Sequence, residues 1–138
     1  MSIEYLAGLI DGEGCLLLQT SNGGSTHGIA VVVSMCGPKV HTAMLCHRPN
    51  ACYTLKKTTG HQRFETVWYG PNAARLLEEL LPYLILKHEQ AILLLQYEYT
   101  RQWARDKFGK TAKLPTLAHI GAVAKIRCSE LKAEGYVS

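Results

Sequence analysis

The stretch Leu6-Ala7-Gly8-Leu9-Ile10-Asp11-Gly12-Glu13-Gly14 combines the apolar spacing of a helix with glycines that helices usually exclude. Ile3, Leu6 and Ile10 are spaced i, i+3, i+7, so they share one helix face and can be buried in a core. Gly8 and Gly12 lie together on another face, although an interior helical glycine costs about 1 kcal/mol relative to alanine. A face without side chains allows a second backbone to approach closely. The pattern therefore predicts a short helix at an interface.

This stretch resembles the motif of the LAGLIDADG homing endonucleases. The matching positions are Leu6, Ala7, Gly8, Leu9, Ile10, Asp11 and Gly14. In that family the helix packs against its counterpart, and the acidic residue before the final glycine binds a divalent cation where DNA is cut. The resemblance implies that Glu13 is catalytic and that Glu13 and Gly12 bind metal. It also implies a dimer interface that contains Ala7, Gly8, Asp11 and Gly12.

The chemistry of Glu13 agrees with this resemblance. Two such helices packed side by side would bring two Glu13 carboxylates together at helix C-termini, where the helix dipole is already negative. Bound cations would make this arrangement favourable, and carboxylate and carbonyl oxygens suit Mg²⁺. We therefore expect Mg²⁺, for which Mn²⁺ can substitute. The alternative is a buried helix followed by a turn, with Asp11 and Glu13 as solvated acids.

Composition is that of an ordinary globular protein and fits a single domain over residues 1–138. Hydrophobic residues make up 47% and charged residues 19% of the chain, and 15 Lys and Arg against 11 Asp and Glu give a net charge of +4. This mild basic excess permits a nucleic-acid partner without requiring one. The start of the chain has no basic n-region, and charged residues interrupt the longest apolar stretches. We therefore expect a soluble, intracellular protein.

The five cysteines are odd in number and form no CxxC pair, which disfavours a disulfide framework and fits a reducing compartment. Five potential zinc ligands lie close together in the sequence: Cys36, His41, Cys46, His47 and Cys52. Their spacings match no common zinc motif. The alternative is that these cysteines are small buried hydrophobic residues.

The predicted elements follow the order αββαββ and then helices, which corresponds to an αββαββα arrangement in the α+β class. After the motif helix we predict strands 15–20 and 28–35, a helix 38–46, strands 52–58 and 62–69, a helix 73–81 capped by Asn72, and a helix 87–104. A basic linker 105–114 then leads to a last helix 115–135, which we expect to pack on the core through Ile120, Val123, Ala124 and Leu131. The resemblance implies a saddle-shaped antiparallel sheet with helices on one face, over a core of residues 2–104. One motif per chain and no internal repeat imply a homodimer.

Alternation assigns the two faces of each strand. The predicted inward residues are Leu16, Leu18, Tyr53, Leu55, Phe64, Thr66 and Trp68. The predicted outward residues are Cys15, Leu17, Gln19, Thr54, Lys56, Thr58, Arg63, Glu65, Val67 and Tyr69. Basic side chains therefore face one concave side of the sheet.

A twisted antiparallel ribbon fits the major groove of DNA, and the family reads DNA in this way. We expect Gln19, Lys56 and Arg63 to contact base edges, and Lys57 and His61 near a turn to contact phosphates. Thr26 and Ser34 are the best candidates of the valine-rich second strand, and Thr54 and Glu65 are further candidates on the third and fourth strands. The alternative to a DNA-binding face is an outer face that is polar only because it is exposed to solvent.

Lys87 is a second catalytic candidate, because residues 81–91 also resemble a family segment whose lysine lies near the scissile phosphate. A cation in the first turn of a helix opposes the local dipole, which favours an anionic neighbour such as phosphate. The alternative is that Lys87 is an exposed surface lysine with no functional role. One departure concerns Met35-Cys36-Gly37, where many relatives carry a polar residue that positions water.

These observations favour a homodimeric, Mg²⁺-dependent endonuclease that makes double-strand breaks in double-stranded DNA at a long, pseudo-palindromic target. The alternative is a non-cleaving nucleic-acid-binding protein of the same fold, such as an RNA splicing maturase or a DNA-binding regulator. The departure at Met35 motivates this alternative, while Glu13 and Lys87 argue against it. A dimeric domain with no nucleic-acid role would require the motif and the element order to be accidental.

Overall fold

A computed structural model describes residues 1–21, 26–35, 37–58, 61–109 and 115–137. Within these ranges only the backbone is described at residues 21, 26, 27, 56–58, 61, 62, 115–118 and 135–137. The elements follow in the order α1 (Ile3–Glu13), β1 (Gly14–Ser21), β2 (Thr26–Met35), α2 (Pro38–His47), β3 (Cys52–Thr58), β4 (His61–Tyr69), α3 (Gly70–Leu80), a 3₁₀ turn (Leu81–Tyr83), α4 (His88–Phe108) and α5 (Pro115–Val137).

The four strands form one antiparallel sheet in the order β1-β2-β4-β3. Leu16 pairs with Val31, and Val31 pairs with Trp68, so these three side chains form one row across the sheet. The whole row is buried, and helices from both halves of the chain pack against this face. The predicted α+β fold, with an antiparallel sheet covered by helices on one face, is confirmed.

Helix α1 begins at a serine cap and ends where strand β1 turns sharply away from it. The Ser2 hydroxyl accepts a hydrogen bond from the Tyr5 N–H at 3.1 Å, which satisfies a free donor of the first turn. At the other end, a Cβ on Gly14 would lie 2.8 Å from the Ile10 carbonyl oxygen. The last glycine of the motif is therefore required by a close backbone approach within the chain itself.

The boundaries of α3 and α4 differ from the predicted ones. Helix α3 begins at Gly70, which adopts a φ of +52°, so Asn72 lies inside the first turn and is not the cap. Helix α4 continues to Phe108 and ends at Gly109, whose φ is +94°. Residues 105–108 are therefore helical and not a linker, because Arg105 and Lys107 in the last turn complement the helix dipole. The rest of the predicted linker, residues 110–114, lies outside the described residues.

Helix α5 packs on β1 and α4, as predicted, but with a narrower apolar face. Ala124, Cys128 and Leu131 are buried at a spacing of i, i+4, i+7. Ile120 and Val123 are exposed, so the prediction that they pack on the core is wrong. In the described part of the chain, no element covers these two side chains fully.

Most strand faces agree with the predicted alternation. Leu16, Leu18 and Thr66 are buried, as expected. Tyr53 and Leu55 have 41% and 44% of their surface exposed, so their assignment to the core is wrong, because β3 is an edge strand on which, among the described elements, no helix packs extensively.

Val67 was expected to be exposed but is buried, since its central strand places it between Val32 and Cys52. Over the described ranges, no helix is long and apolar enough to cross a membrane.

Candidate active site and nucleic-acid interface

A pocket of about 310 Å³ lies at the C-terminal end of α1, where three parts of the chain meet. Its lining includes Gly12, Glu13, Cys15, Lys87, Gln90 and Lys132. The structure thus brings together Glu13 and Lys87, which are more than seventy positions apart in the sequence. Helix α5 adds Lys132 to the same pocket.

Asp11 holds the segment before α4 against the end of α1. Its carboxylate accepts a hydrogen bond from the Ile85 N–H at 2.7 Å and another from the Lys87 N–H at 3.0 Å. Asp11 itself is buried. Its side chain is therefore used inside the chain, which corrects its assignment to the dimer interface.

The Lys87 ammonium has a partner of its own in the chain. Its Nζ donates a hydrogen bond to the backbone carbonyl of Asp11, in the last turn of α1. The carbonyls of a helix C-terminus carry partial negative charge, so they attract a cation. This carbonyl is a neutral dipole and not the anionic neighbour expected from the sequence, but it holds the lysine at the pocket that Glu13 also lines.

Among the residues that line this pocket, the polar side chains of Lys132 and Gln90 were not predicted from the sequence. Lys132 follows the buried Leu131 on α5, in a region that the family resemblance did not cover, so no sequence signal pointed to it. Gln90 follows Lys87 by three positions, which is one helical turn, and this spacing was a usable signal. Among the described residues, the buried Gln90 Oε1 atom has no hydrogen-bond partner.

The oxygen donors at the end of α1 fit a divalent cation only in part. Glu13 is exposed, and together with the Gly12 carbonyl it offers the hard oxygen ligands that Mg²⁺ prefers. Among the described residues, no three His, Cys, Asp or Glu side chains are close enough to hold a metal ion. One chain therefore supplies one carboxylate, and a complete metal site needs further ligands from a second chain or from a phosphate.

The uncovered face of the sheet carries several of the predicted DNA contacts. Gln19, Thr54 and Arg63 are exposed, and Ser34 and Glu65 are half-buried. Ser34 pairs with Glu65, which pairs with Thr54, so these three residues form one row across β2, β4 and β3. The side chains of Thr26, Lys56, Lys57 and His61 lie outside the described residues.

The pocket and the uncovered sheet face are continuous at the start of β1. Cys15 is exposed, lines the pocket, and lies on the same face of β1 as Gln19 because the two are four positions apart. A duplex lying along the sheet would therefore pass the pocket that contains Glu13 and Lys87.

The glycine face of α1 is open. A Cβ added at Gly8 or at Gly12 would meet nothing within 4 Å. Tyr5 lies on the same side of the helix and is exposed. Ala7, in contrast, is completely buried against the chain's own core, so its assignment to the dimer interface is corrected.

Neither interpretation of the clustered cysteines and histidines, as zinc ligands or as small core residues, agrees with all of their described environments. Cys46 and Cys52 are exposed and therefore are not small core residues. His41, another potential zinc ligand, is buried with its ring nitrogens bonded to the Thr66 hydroxyl at 2.7 Å and the Met35 carbonyl at 3.1 Å. Cys128 is buried, and this burial raises the pKa of its thiol. Cys36 lies outside the described residues.

Comparison with solved structures identifies the fold. The homing endonuclease I-CvuI, solved in complex with DNA in the presence of Mg with the DNA not cleaved, matches with a TM-score of 0.74 and 23% identity over 94% of this chain and 80% of that chain. The archaeal intron-encoded homing endonuclease I-Vdi141I, complexed with DNA, matches with a TM-score of 0.68 and 10% identity over 99% of this chain and 97% of that chain.

The LAGLIDADG meganuclease I-AabMI, bound to uncleaved DNA, matches with a TM-score of 0.68 and 12% identity, over 88% of this chain but only 44% of that chain. A scan against protein-family models gives no match, and a search of curated proteins gives no significant match. The identification therefore depends on the arrangement of the elements. With its motif helix, antiparallel sheet and helix order, the chain has the fold of the LAGLIDADG homing endonucleases.

Proposed function

We propose that this protein is a divalent-metal-dependent DNA endonuclease that makes double-strand breaks at a long, pseudo-palindromic target as a homodimer. The observation that carries the proposal is the pocket in which Glu13 and Lys87 meet, because it opens onto the uncovered face of the sheet. The DNA complexes of I-CvuI and I-Vdi141I, which share this fold, support the substrate class. The complexes of I-CvuI with Mg and with Ca support a divalent cation.

Each pocket residue has a chemical task in this proposal. Glu13 and the Gly12 carbonyl would hold Mg²⁺, for which Mn²⁺ can substitute. The bound ion would supply an activated water and charge neutralisation at the phosphodiester. Lys87, held in place by Asp11, stabilises negative charge on the phosphate, and Lys132 adds a second cation on the same wall.

Dimerisation would complete the site. Two α1 helices packed through Gly8 and Gly12 would place their Glu13 carboxylates near one another, since Glu13 follows Gly12 directly. Apolar surface next to this face supports the contact, because Ile85 is 84% exposed and Leu86 is 60% exposed. The proposed interface consists of Tyr5, Gly8, Gly12, Ile85 and Leu86, related to itself by a two-fold axis.

A second candidate function is binding of nucleic acid without cleavage, including a folded intron RNA. The observation that favours it is the end of β2, where Met35 is half-buried and uses its backbone carbonyl to bond His41. Met35 therefore presents no polar side chain where many relatives of this fold carry one.

Substitution of Glu13 tests the proposal. The substrates are a plasmid library of randomised inserts and the genomic locus without the gene's own insertion, each incubated with Mg²⁺. Wild-type protein is expected to linearise plasmid carrying a target, and Glu13→Gln is expected to lower this rate by roughly a hundredfold or more. Glu4→Gln is the matched control, since Glu4 is an exposed acid on the same helix, in its first turn and away from the pocket.

Each alternative has its own outcome. Cleavage that survives Glu13→Gln would contradict the metal-binding role. Tight binding to a folded intron RNA by a wild-type protein that cuts no DNA would support the second candidate. In the endonuclease case, binding to the DNA target with Ca²⁺ in place of Mg²⁺ is expected for both wild type and Glu13→Gln.

A further inference from the structure

The middle of the uncovered sheet face is apolar, although polar side chains lie on both sides of it. One row of paired residues crosses all four strands and consists of Cys15, Val32, Val67 and Cys52. The next row, two positions further along β1, consists of Leu17, Ala30 and Tyr69. Paired residues, and residues two positions apart on one strand, point to the same face. We refer to these two rows as the apolar patch.

The apolar patch is accessible to a ligand. Cys15, Cys52 and Tyr69 are exposed, and Leu17 and Val32 are half-buried. The remaining two residues are buried between their paired neighbours. Among the seven side chains, the Tyr69 hydroxyl is the one strong hydrogen-bonding group.

The apolar patch is continuous with the candidate active site and with polar rows of the same face. Cys15 belongs to the patch and also lines the pocket. The row of Ser34, Glu65 and Thr54 adjoins the patch on one side, and Gln19 adjoins it on the other, each two positions away along a strand. A duplex that reaches the pocket and both polar groups therefore covers the patch.

We propose that the apolar patch selects A·T base pairs in each half-site, by contact with thymine methyl groups in the major groove. This inference rests on the proposed endonuclease function and adds the base composition of its target. In the major groove a G·C pair presents only hydrogen-bonding groups, whereas an A·T pair also presents the C5-methyl group of thymine. Polar base atoms that lose water against the patch gain no partner there, while a methyl group gains from leaving water.

The spacing of the two rows sets the length of the selected block. Residues two positions apart on a strand are about 7 Å apart, and successive base pairs are about 3.4 Å apart. We therefore expect a block of about two to four A·T pairs in each half-site. The block lies between the base pairs that face the row of Ser34, Glu65 and Thr54 and those that face Gln19.

The same contact distinguishes DNA from RNA. Uracil lacks the C5-methyl group, and side chains cannot read the deep, narrow major groove of an RNA duplex. The apolar patch thus favours duplex DNA over the intron RNA of the second candidate function.

Replacement of thymidine by deoxyuridine tests the inference, because it removes only the methyl group. Targets are selected by binding from a randomised duplex library in Ca²⁺ and are resynthesised with deoxyuridine in the A·T block. Affinity is expected to fall about threefold for each methyl group removed. Deoxyuridine in flanking DNA outside the selected site is the control and is expected to have no effect. Selected targets without an A·T block, or equal affinity for the thymidine and deoxyuridine duplexes, would overturn the inference.

A double variant, Leu17→Thr with Val32→Thr, tests the protein side of the contact. Threonine keeps the preference for a strand and places a hydroxyl group on the patch. The ratio of affinities for thymidine and deoxyuridine duplexes is expected to approach one. Val123→Thr, on an exposed part of α5, is the matched control and is expected to keep the wild-type ratio. A wild-type ratio in the folded double variant would overturn the inference, and if that variant does not fold, the wild-type comparison of the two duplexes decides.

Three exposed cysteines report where the DNA lies. Cys15 and Cys52 belong to the apolar patch, whereas Cys46 lies on α2, which packs against the covered face. Bound target DNA in Ca²⁺ is expected to suppress alkylation of Cys15 and Cys52 by iodoacetamide and to leave Cys46 reactive, as measured by mass spectrometry of the peptides. Full reactivity of Cys15 and Cys52 in the DNA complex would overturn the inference.

These assays separate failure of the inference from failure of the proposed function. A wild-type protein that binds and cuts no DNA removes both, and binding to RNA alone would support the second candidate. A wild-type protein that cuts its target, with Glu13→Gln inactive and with no preference for thymidine over deoxyuridine, removes the role of the apolar patch alone.

Discussion

Asp11 and Lys87 are joined by two hydrogen bonds that run in the same direction, from the lysine to the aspartate. The Lys87 N–H donates to Asp11 Oδ1 at 3.0 Å, and the Lys87 ammonium donates to the Asp11 backbone carbonyl. The other carboxylate oxygen accepts from the Ile85 N–H. A single motif residue therefore fixes both the backbone and the side chain of the second catalytic candidate.

Asp11→Ala is expected to destabilise the protein by about 2–3 kcal/mol and to lower cleavage, because the backbone N–H groups of Ile85 and Lys87 lose their carboxylate acceptor and the segment that carries Lys87 is held less firmly against α1. Urea unfolding and cleavage rates measure the two effects. Asp106→Ala, an exposed aspartate near the end of α4, is the control. Equal stability of the two variants would show that the hydrogen bonds to Asp11 do not stabilise the fold.

Gly14→Ala is expected to destabilise the fold by about 1–3 kcal/mol, because its Cβ would lie 2.8 Å from the Ile10 carbonyl oxygen and 2.9 Å from the Ile10 Cα, both backbone atoms. Thermal unfolding measures this effect. Gly28→Ala is the matched control, since a Cβ there meets nothing within 4 Å. The prediction is wrong if both variants melt at the wild-type temperature.

Gly8→Leu is expected to leave the folded monomer intact and to abolish the homodimer, because the new side chain meets nothing in its own chain but occupies the open helix face. Sedimentation velocity and circular dichroism measure association and folding. Ala133→Leu on the exposed side of α5 adds a comparable apolar side chain elsewhere. A Gly8→Leu protein that still dimerises would exclude this face from the interface.

Lys132→Met is expected to weaken DNA binding in low salt and to reduce the slope of log affinity against log salt concentration by about 1, as for the loss of one phosphate contact. Fluorescence anisotropy over a salt series measures the slope. Lys39→Met is the control, because Lys39 is an exposed lysine on α2 and lines a different groove. Identical slopes for both variants would argue against a phosphate contact at Lys132.

Glu79 is expected to make the stability of the fold depend on pH in the acid range. Burial raises the pKa of this carboxyl, but hydrogen bonds from Arg48 and His47 outweigh it, so the pKa lies below the usual 4.5. The folded state therefore favours the ionised carboxylate. Its contribution is complete above pH 4.5 and is lost as the pH falls through the lowered pKa.

Denaturant unfolding between about pH 3 and about pH 7, a range that includes the titration of a carboxyl group, would measure this contribution. Glu79→Gln is expected to be less stable than wild type near neutral pH and to approach it in acid. A constant difference between the two proteins at every pH would show that the ionised carboxylate is not the stabilising form.

Local sequence patterns were sufficient for the order of helices and strands, and the family resemblance supplied the sheet arrangement and the pocket residues Glu13 and Lys87. The apolar spacing of α1 placed Leu6 and Ile10 in the core, and alternation placed Leu16 and Leu18 on the covered face of the sheet. Each of these predictions needs only the period of a helix or a strand, which a few neighbouring residues define. Glu13 and Lys87 were predicted differently, from the resemblance of residues 6–14 and 81–91 to segments of the LAGLIDADG family.

Other assignments failed because they depend on neighbours that are distant in the sequence. The pattern of β3 does not reveal that it is an edge strand with little helix packing among the described elements, and this environment leaves Tyr53 and Leu55 exposed. The motif likewise grouped Ala7 and Asp11 with Gly8 and Gly12, although the first two are buried within the chain. Which residues of α1 face the chain's own core is decided by the elements that pack against this helix.

The amino-acid order alone thus determined which segments become helices and strands, and it identified the acid and the lysine of the candidate site. The tertiary structure decided how that site is built: Asp11 as the residue that holds Lys87, Lys132 as a second cation, and Gln90 as a buried acceptor. The physical reason is that helix and strand periods are local properties. Hydrogen bonding and burial between residues 11, 87, 90 and 132 arise only when separate elements pack together.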